Sequence, residues 1–292
     1  DTSYWVALTC KKILNGQLRL STLKQTKTKA FIYKRPTNSK MFFFFIRKIF
    51  YSLLSRLHNL FFYYRDEWRI GIIRKSVVEL LGDKLDNAIS LNDIDWLENE
   101  KDCFFADPFI GGNKFGSFLF FEKFSYKKDK GSISVAKINN SEIFKPVDLL
   151  TDETHYSYPH NIMLGGEIFI VPEEHEKKEI NIYKYDGSRL NCVKIANIIS
   201  GDHYVDPTLF FHNDIWWLFF SIHKDNENLF LWHSEDLFGG WEEHILNPIK
   251  TDVRSSRPAG PIFYHNEKII RPAQDCSKNY GGRIVINEIK LI

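Results

Sequence analysis

Four short stretches decide how this chain reads: Ala106-Asp107-Pro108-Phe109-Ile110, Ser157-Tyr158-Pro159-His160-Asn161-Ile162, Val205-Asp206-Pro207-Thr208-Leu209-Phe210 and Ser256-Arg257-Pro258-Ala259-Gly260-Pro261-Ile262-Phe263. Their aligned prolines, Pro108, Pro159, Pro207 and Pro258, are spaced 51, 48 and 51 residues apart. Each proline is expected to precede a strand. A turn follows (GGNKF, LGGE, FHND or YHNE), then a second strand (FLFFE, IFIVPE, IWWLFFS or KIIRPAQ) and a third. A period near fifty with several strands per unit is the signature of a β-propeller, whose small twisted sheets close radially and so protect their edges. Four units can be counted: 106–150, 155–199, 204–245 and 256–292. A fifth would combine Trp68–Ile73 with sequence beyond Ile292.

Composition agrees with an all-β class. Aromatic residues make up 15% of 292 residues, a bias suited to strands and to stacking on sugar rings. Lys and Arg number 39 against 37 Asp and Glu, so no global field recruits nucleic acid. Cys10, Cys103, Cys192 and Cys276 lie far apart with no CxxC, which points to a reducing, cytoplasmic compartment rather than a disulfide scaffold.

Ahead of the propeller, placed over 66–292, two further segments are expected. Residues 1–40 form a polar, Lys- and Thr-rich arm with too few apolar side chains to build a core. Residues 41–65, MFFFFIRKIFYSLLSRLHNLFFYYR, read as an amphipathic helix. Phe42, Phe45, Ile46, Ile49, Leu53, Leu57 and Leu60 share one side; Lys48, Ser52, Ser55 and Asn59 share the other. Its charges break every uncharged run long enough to span a bilayer. Two uses remain open for 41–64, packing on the following domain or lying peripherally on a membrane face.

In a propeller, residues at one phase of the repeat meet at the axis. The residues before the aligned prolines are Asp107, Tyr158, Asp206 and Arg257. Polar residues also end the second strands: Glu122; Glu173 and Glu174; Ser221 and His223; Arg271, Gln274 and Asp275. Paired carboxylates suit chemistry at a glycosidic oxygen, one moving the proton while the other stabilises positive charge or activates a nucleophile. Asp107, Glu173 and Asp206 are the candidate catalytic residues, and Glu122, Tyr158, His160, His223, Arg257, Arg271 and Asp275 the candidate substrate contacts. Tyr156, Tyr158, Tyr204, Trp216 and Trp217 offer ring faces, although one of the adjoining tryptophans belongs in the core. No metal or cofactor is called for: the histidines lack HExxH spacing, and there is no P-loop, GxGxxG or GxSxG. A nucleotide phosphate would have to be met by Arg257, Arg271 and the backbone near Gly281.

These blocks together, with WEEHILNPI and RPAQDCSKNYGGRIVINEI, closely resemble the N-terminal domain of plant glucosamine inositolphosphorylceramide transferases and its bacterial relatives, over about 66–292. The resemblance implies a five-bladed propeller similar to family 43 glycoside hydrolases, and work in glycolipid or polysaccharide assembly. In such hydrolases the first-blade DP aspartate is the general base, the place of Asp107. The hydrolase order of an aspartate and then an acid glutamate in the next blades is not kept here. In the plant proteins, sugar transfer is attributed to a separate C-terminal domain. KAFIYKRPT, at 29–37, resembles the tail of formyltransferase-like domains and would make the arm a remnant of an upstream domain.

The expected function is a carbohydrate-active propeller of the glycosyltransferase or related glycan-processing type. Its partners would be a sugar or glycolipid and a nucleotide-sugar donor, with no nucleic acid. A non-catalytic glycan-binding or scaffolding propeller and a furanoside hydrolase stay open as alternatives.

Overall fold

In a computed structural model the described residues are 9–11, 13, 14, 16, 35–61, 65, 67–80, 90–139, 142–290 and 292. They divide into two units, Asp1–Glu67 and Trp68–Ile292. Most of the expected polar arm lies outside the described residues, as do 62–64 at the end of the expected helix.

The first unit contains helix α1, Asn38–Phe61. It starts three residues earlier than expected, because Pro36 ends the preceding chain and Thr37 caps the first turn, its Oγ1 accepting from the Lys40 amide at 3.4 Å.

The second unit is built of antiparallel sheets. Strands β1 (Gly71–Ile73) and β2 (Ile94–Trp96) pair as a two-stranded sheet, with the one-turn helix α2 (Val77–Leu80) between them in sequence. Blade 1 follows as β3 (Cys103–Asn113), β4 (Gly116–Ser125), β5 (Lys130–Asn139), β6 (Glu142–Ile143) and β7 (Val147–Leu150). Blade 2 is β8 (Ser157–Leu164), β9 (Glu167–Glu173), β10 (Glu179–Asp186) and β11 (Asn191–Ser200). Blade 3 is β12 (Tyr204–His212), β13 (Ile215–Ile222), β14 (Asp225–Ser234), β15 (Glu242–Glu243) and β16 (Lys250–Thr251). Blade 4 is β17 (Phe263–His265), β18 (Lys268–Gln274) and β19 (Ile284–Ile289). Four blades are thus present among the described residues, and the Trp68–Ile73 run expected in a fifth supplies β1.

Local chemistry explains the hairpins. Gly165-Gly166, Asn213-Asp214 and Asn266-Glu267 each place two consecutive residues at positive φ. That is the two-residue turn whose twist matches the flanking strands.

Strand alternation sends successive side chains to the two neighbouring blades. Phe118, Phe120, Ile168, Ile170 and Tyr185 pack between blades 1 and 2. Phe169, Val171, Leu209, Trp216 and Phe220 pack between blades 2 and 3, and Phe210, Trp217, Phe219 and Ile262 between blades 3 and 4. Trp216 and Trp217 therefore both belong to the core, on opposite faces of one strand, and each is 9% exposed. The core is a stack of inter-blade layers, which leaves the inner strand edges to line the axis.

Candidate functional site

The repeated prolines do not precede their strands in blades 1 to 3; they sit inside them. A proline has no amide proton for the ladder, so within a sheet it sits at an unpaired edge or at a bulge. The register shifts at this point in β3, β8 and β12, between Ala106 and Phe109, Ser157 and His160, and Val205 and Thr208. In all three the residue before proline is left-handed, with φ 48° at Asp107, 45° at Tyr158 and 51° at Asp206. Such a conformation costs free energy and must be held by its surroundings.

In β8 and β12 the bulge turns one amide out of the ladder toward the blade before it. The Tyr158 amide donates to Asp107 Oδ2 at 3.2 Å, and the Asp206 amide donates to Glu173 Oε2 at 3.1 Å. Blade 4 departs from the pattern: Pro258 makes an isolated bridge with Ala273, and Arg257 points its guanidinium at blade 3. Arg257 Nε donates to Asp206 Oδ2, Gln274 Nε2 donates to the same oxygen at 3.2 Å, and Arg257 Nη1 donates to Asn226 Oδ1 at 3.0 Å. Tyr280 lies against the guanidinium, 4.9 Å from its ring centroid.

Glu122, from β4, completes the cup. It is buried over Gly131, where a Cβ would come within 2.4 Å of both Glu122 Oε1 and the Tyr156 carbonyl. Only glycine fits that close approach.

Four carboxyl groups thus share one axial space with one guanidinium, and their protonation is driven apart. Burial, then the charges of Asp107, Glu173 and Asp206, hold the Glu122 carboxyl well above the usual range. Burial and Glu173 push Asp107 up to about 6, against the Tyr158 amide and Arg257. Burial lifts Asp206 to about 7 against the pull of Arg257. At Glu173 burial is outweighed by the His175 hydrogen bond and the Arg257 charge, which leave its carboxyl below the ordinary value.

Imidazoles surround this cup. His175 Nδ1 lies 3.1 Å from Glu173 Oε1, and its ring stacks on His223 at 4.3 Å with planes 5° apart. His155 and His203 lie 5.8 and 6.2 Å from His175, centroid to centroid. His155 Nδ1 accepts the Gly131 amide at 3.0 Å, which places its ring proton on Nε2, 3.8 Å from Glu122 Oε1. No group of three His, Cys, Asp or Glu side chains among the described residues is arranged to hold a metal ion.

Residues 95–292 match the family described as "Glucosamine inositolphosphorylceramide transferase 1, N-terminal". The chain belongs to that family. The protein named glucosamine inositolphosphorylceramide transferase 1 from Arabidopsis thaliana is 34% identical over 198 residues, covering 65% of this chain and 26% of that protein. Its namesake from Oryza sativa subsp. japonica is 31% identical over 196 residues, covering 64% of this chain and 26% of its own length. The chain therefore spans about a quarter of these curated relatives. Among solved structures, an exo-β-1,3-galactanase from Clostridium thermocellum superposes with a TM-score of 0.52 at 14% identity, over 65% of this chain and 47% of that one. One from Phanerochaete chrysosporium, solved with β-1,3-galactotriose, gives 0.53 at 11% identity, over 68% and 51%. At such identities the likeness is one of fold.

At the axis of this domain Asp107, Glu122, Glu173, Asp206 and Arg257 come together, with His223 on the imidazole rim. Tyr158 is a brace rather than an exposed contact: its buried hydroxyl bonds Thr208 Oγ1 at 2.9 Å and accepts the Gly260 amide at 2.7 Å, tying blades 2, 3 and 4. His160 lies off the cup, 1% exposed and edge-on to Phe109, and burial pushes its pKa down to about 4. Arg271 spends its guanidinium on the carbonyls of Ser255 and Ser256, at 2.6 and 3.0 Å, and so shapes the segment carrying Arg257. Asp275 caps Ser277 and pairs with Arg283 at 3.1 Å. With Arg257 held by Asp206 and Asn226, neither expected phosphate-binding arginine has an unengaged guanidinium. The expected sugar platforms Tyr156, Tyr158, Tyr204, Trp216 and Trp217 are all buried; the rings at the cup are Tyr280 and the imidazoles.

Sequence reading passed over His155, His175, His203, Asn226 and Tyr280 as site residues. The repeat register held a signal for three of them. His155 and His203 each lie four residues before the aligned proline, and His175 and His223 occupy one phase of the second strand, as do Glu122, Glu173 and Ser221.

Proposed function

We propose that the axial cup is a glycan-processing site that moves protons at a glycosidic oxygen. The observation carrying this reading is the divergence of pKa among carboxyls sharing one axial space, Glu122 pushed well up and Glu173 drawn down, with Asp107 poised near 6 between them. That separation is how one site supplies both an acid and a base near neutrality. In this reading Glu122 protonates the leaving glycosidic oxygen as its C–O bond breaks. Asp107 takes the proton of the incoming hydroxyl as the new bond forms, and Glu173 and Asp206 stabilise the positive charge developing on the sugar. With an alcohol as acceptor the outcome is transfer, of the kind named for the family; with water it is hydrolysis. The carboxyl excess further suits an amino sugar, the glucosamine of the relatives' name, whose ammonium would supply the missing positive charge. A nucleotide-sugar donor, if used, would be held by its sugar. A cytoplasmic location accompanies this reading, supported by four cysteines that are all unpaired.

A second reading, a glycan-binding module without turnover, is favoured by one fact: the curated relatives are about four times longer than the stretch matched here, room enough for catalysis elsewhere. The test incubates the full chain with glucosamine-bearing glycolipids, with and without nucleotide sugars, and follows products by mass spectrometry and binding by saturation-transfer NMR. Asp107→Asn and Glu122→Gln are each expected to lose about a hundredfold or more in turnover while still binding. Binding by all three proteins with no product from any of them would establish the module instead.

A further inference from the structure

Helix α1 stands outside the axial chemistry. Its 24 residues, about 36 Å of helix, contain no acidic side chain but carry Lys40, Arg47, Lys48, Arg56 and His58. At 100° per residue, Phe43, Ile46, Ile49, Phe50, Leu53, Leu54 and Leu57 fall within one arc of about 140°, with Arg47 and Arg56 flanking its two edges and Lys40, Lys48 and His58 beyond them. Those apolar side chains are exposed, Phe43 at 69% and Ile49 at 60%. The Arg47 guanidinium lies 5.5 Å from the Tyr51 ring centroid, a cation and an aromatic hydroxyl together at the border of the two faces. No helix among the described residues is long and apolar enough to cross a membrane.

We propose that α1 docks in the plane of an anionic lipid bilayer, its apolar arc among the acyl chains and its cations among the headgroups. Charge selects the occupant. An apolar arc alone suits any hydrophobic partner. Cations at and beyond its edges, with no acidic residue anywhere on the helix, suit a uniformly negative sheet. Aromatic side chains at the polar border are favoured at the depth where headgroups meet hydrocarbon. The source of negative charge is lipid phosphate within a bilayer, not free phosphate. This inference is independent of the proposed chemistry at the axis.

The test is sedimentation of the full chain with vesicles of phosphatidylcholine alone or containing about 30% phosphatidylglycerol. Binding is expected to the anionic vesicles and to be weakened by salt, and free inorganic phosphate is expected not to compete. Ile46→Glu/Leu53→Glu is expected to lower partitioning by roughly a hundredfold or more. Lys48→Ala and Arg56→Ala are each expected to lower it about fivefold on the anionic vesicles only. Far-UV circular dichroism and thermal unfolding of each variant confirm that the propeller stays folded. Equal binding to both vesicle types, or binding untouched by the double variant, overturns the proposal. So does a double variant that unfolds the propeller or abolishes a dimer of the lipid-free wild type, since the arc then has a protein occupant.

Discussion

Replacing Asp107 by asparagine should make this protein more stable while removing its proposed chemistry. The native structure holds the Asp107 carboxyl near 6, from an ordinary value of 3.8, because burial and the Glu173 charge disfavour its ionised form. A group whose pKa is raised by folding contributes stability that is complete below the unfolded value and is lost as pH rises through the folded one. Ionising Asp107 therefore withdraws up to about 3 kcal/mol between roughly pH 4 and pH 7. Asparagine keeps an oxygen for the Tyr158 amide, now 3.2 Å from Oδ2. Burying the asparagine NH2, for which no acceptor is set aside, offsets about 1 kcal/mol. A net gain of about 2 kcal/mol at pH 7.5 is expected, roughly 4–8 °C in Tm for a domain of this size. The gap should close as pH approaches 4. The assay is a pair of urea titrations, wild type and variant, at several pH values. A variant less stable than wild type at pH 7.5, or a gap that does not change with pH, would overturn this expectation, because Asp107 would then serve to brace the β8 bulge through the Tyr158 amide.

Three further outcomes follow from the same geometry. Arg257→Met strands the buried Asp206 and should cost about 3–5 kcal/mol in urea unfolding, with Asp206→Asn in the same chain restoring most of it; a cost below about 1 kcal/mol would mean the pair is solvated. His175→Phe keeps a ring against His223 but removes the donor to Glu173, so the Glu173 carboxyl pKa should rise in carbon-13 NMR titration, and an unchanged value would remove His175 from its control. Gly131→Ala places a methyl against Glu122 and the Tyr156 carbonyl and should cost about 2 kcal/mol or more. Adding Glu122→Ala should recover only part, since the carbonyl remains.

The propeller was legible because its physics is periodic. Each blade needs the same alternation, turn and inward edge, so the pattern recurs about every fifty residues and can be counted without any contact being known. For the same reason the residues before the aligned prolines, Asp107, Asp206 and Arg257, were named from phase alone. The meaning of those prolines was not legible: they look like strand openers, yet three of the four sit inside strands at bulges. A bulge depends on the partner strand's register and on a carboxylate from the neighbouring blade to take the displaced amide.

Tertiary structure likewise decided which polar groups face substrate and which are spent internally. Arg271 and Asp275 have the right types at the right phase, but their bonds go to Ser255, Ser256, Ser277 and Arg283. Trp216 and Trp217 looked like one core ring and one free ring, but a blade is buried on both faces, so alternation hides both. By itself the sequence determined the repeat, the strand class, the charge of α1 and the list of chemically capable side chains, all of which are local or periodic properties. The upward push on the Glu122 carboxyl and the downward pull on Glu173 come from the tertiary structure alone, because a buried carboxyl's pKa is set by burial and by neighbours across the axis, tens of residues away in the chain.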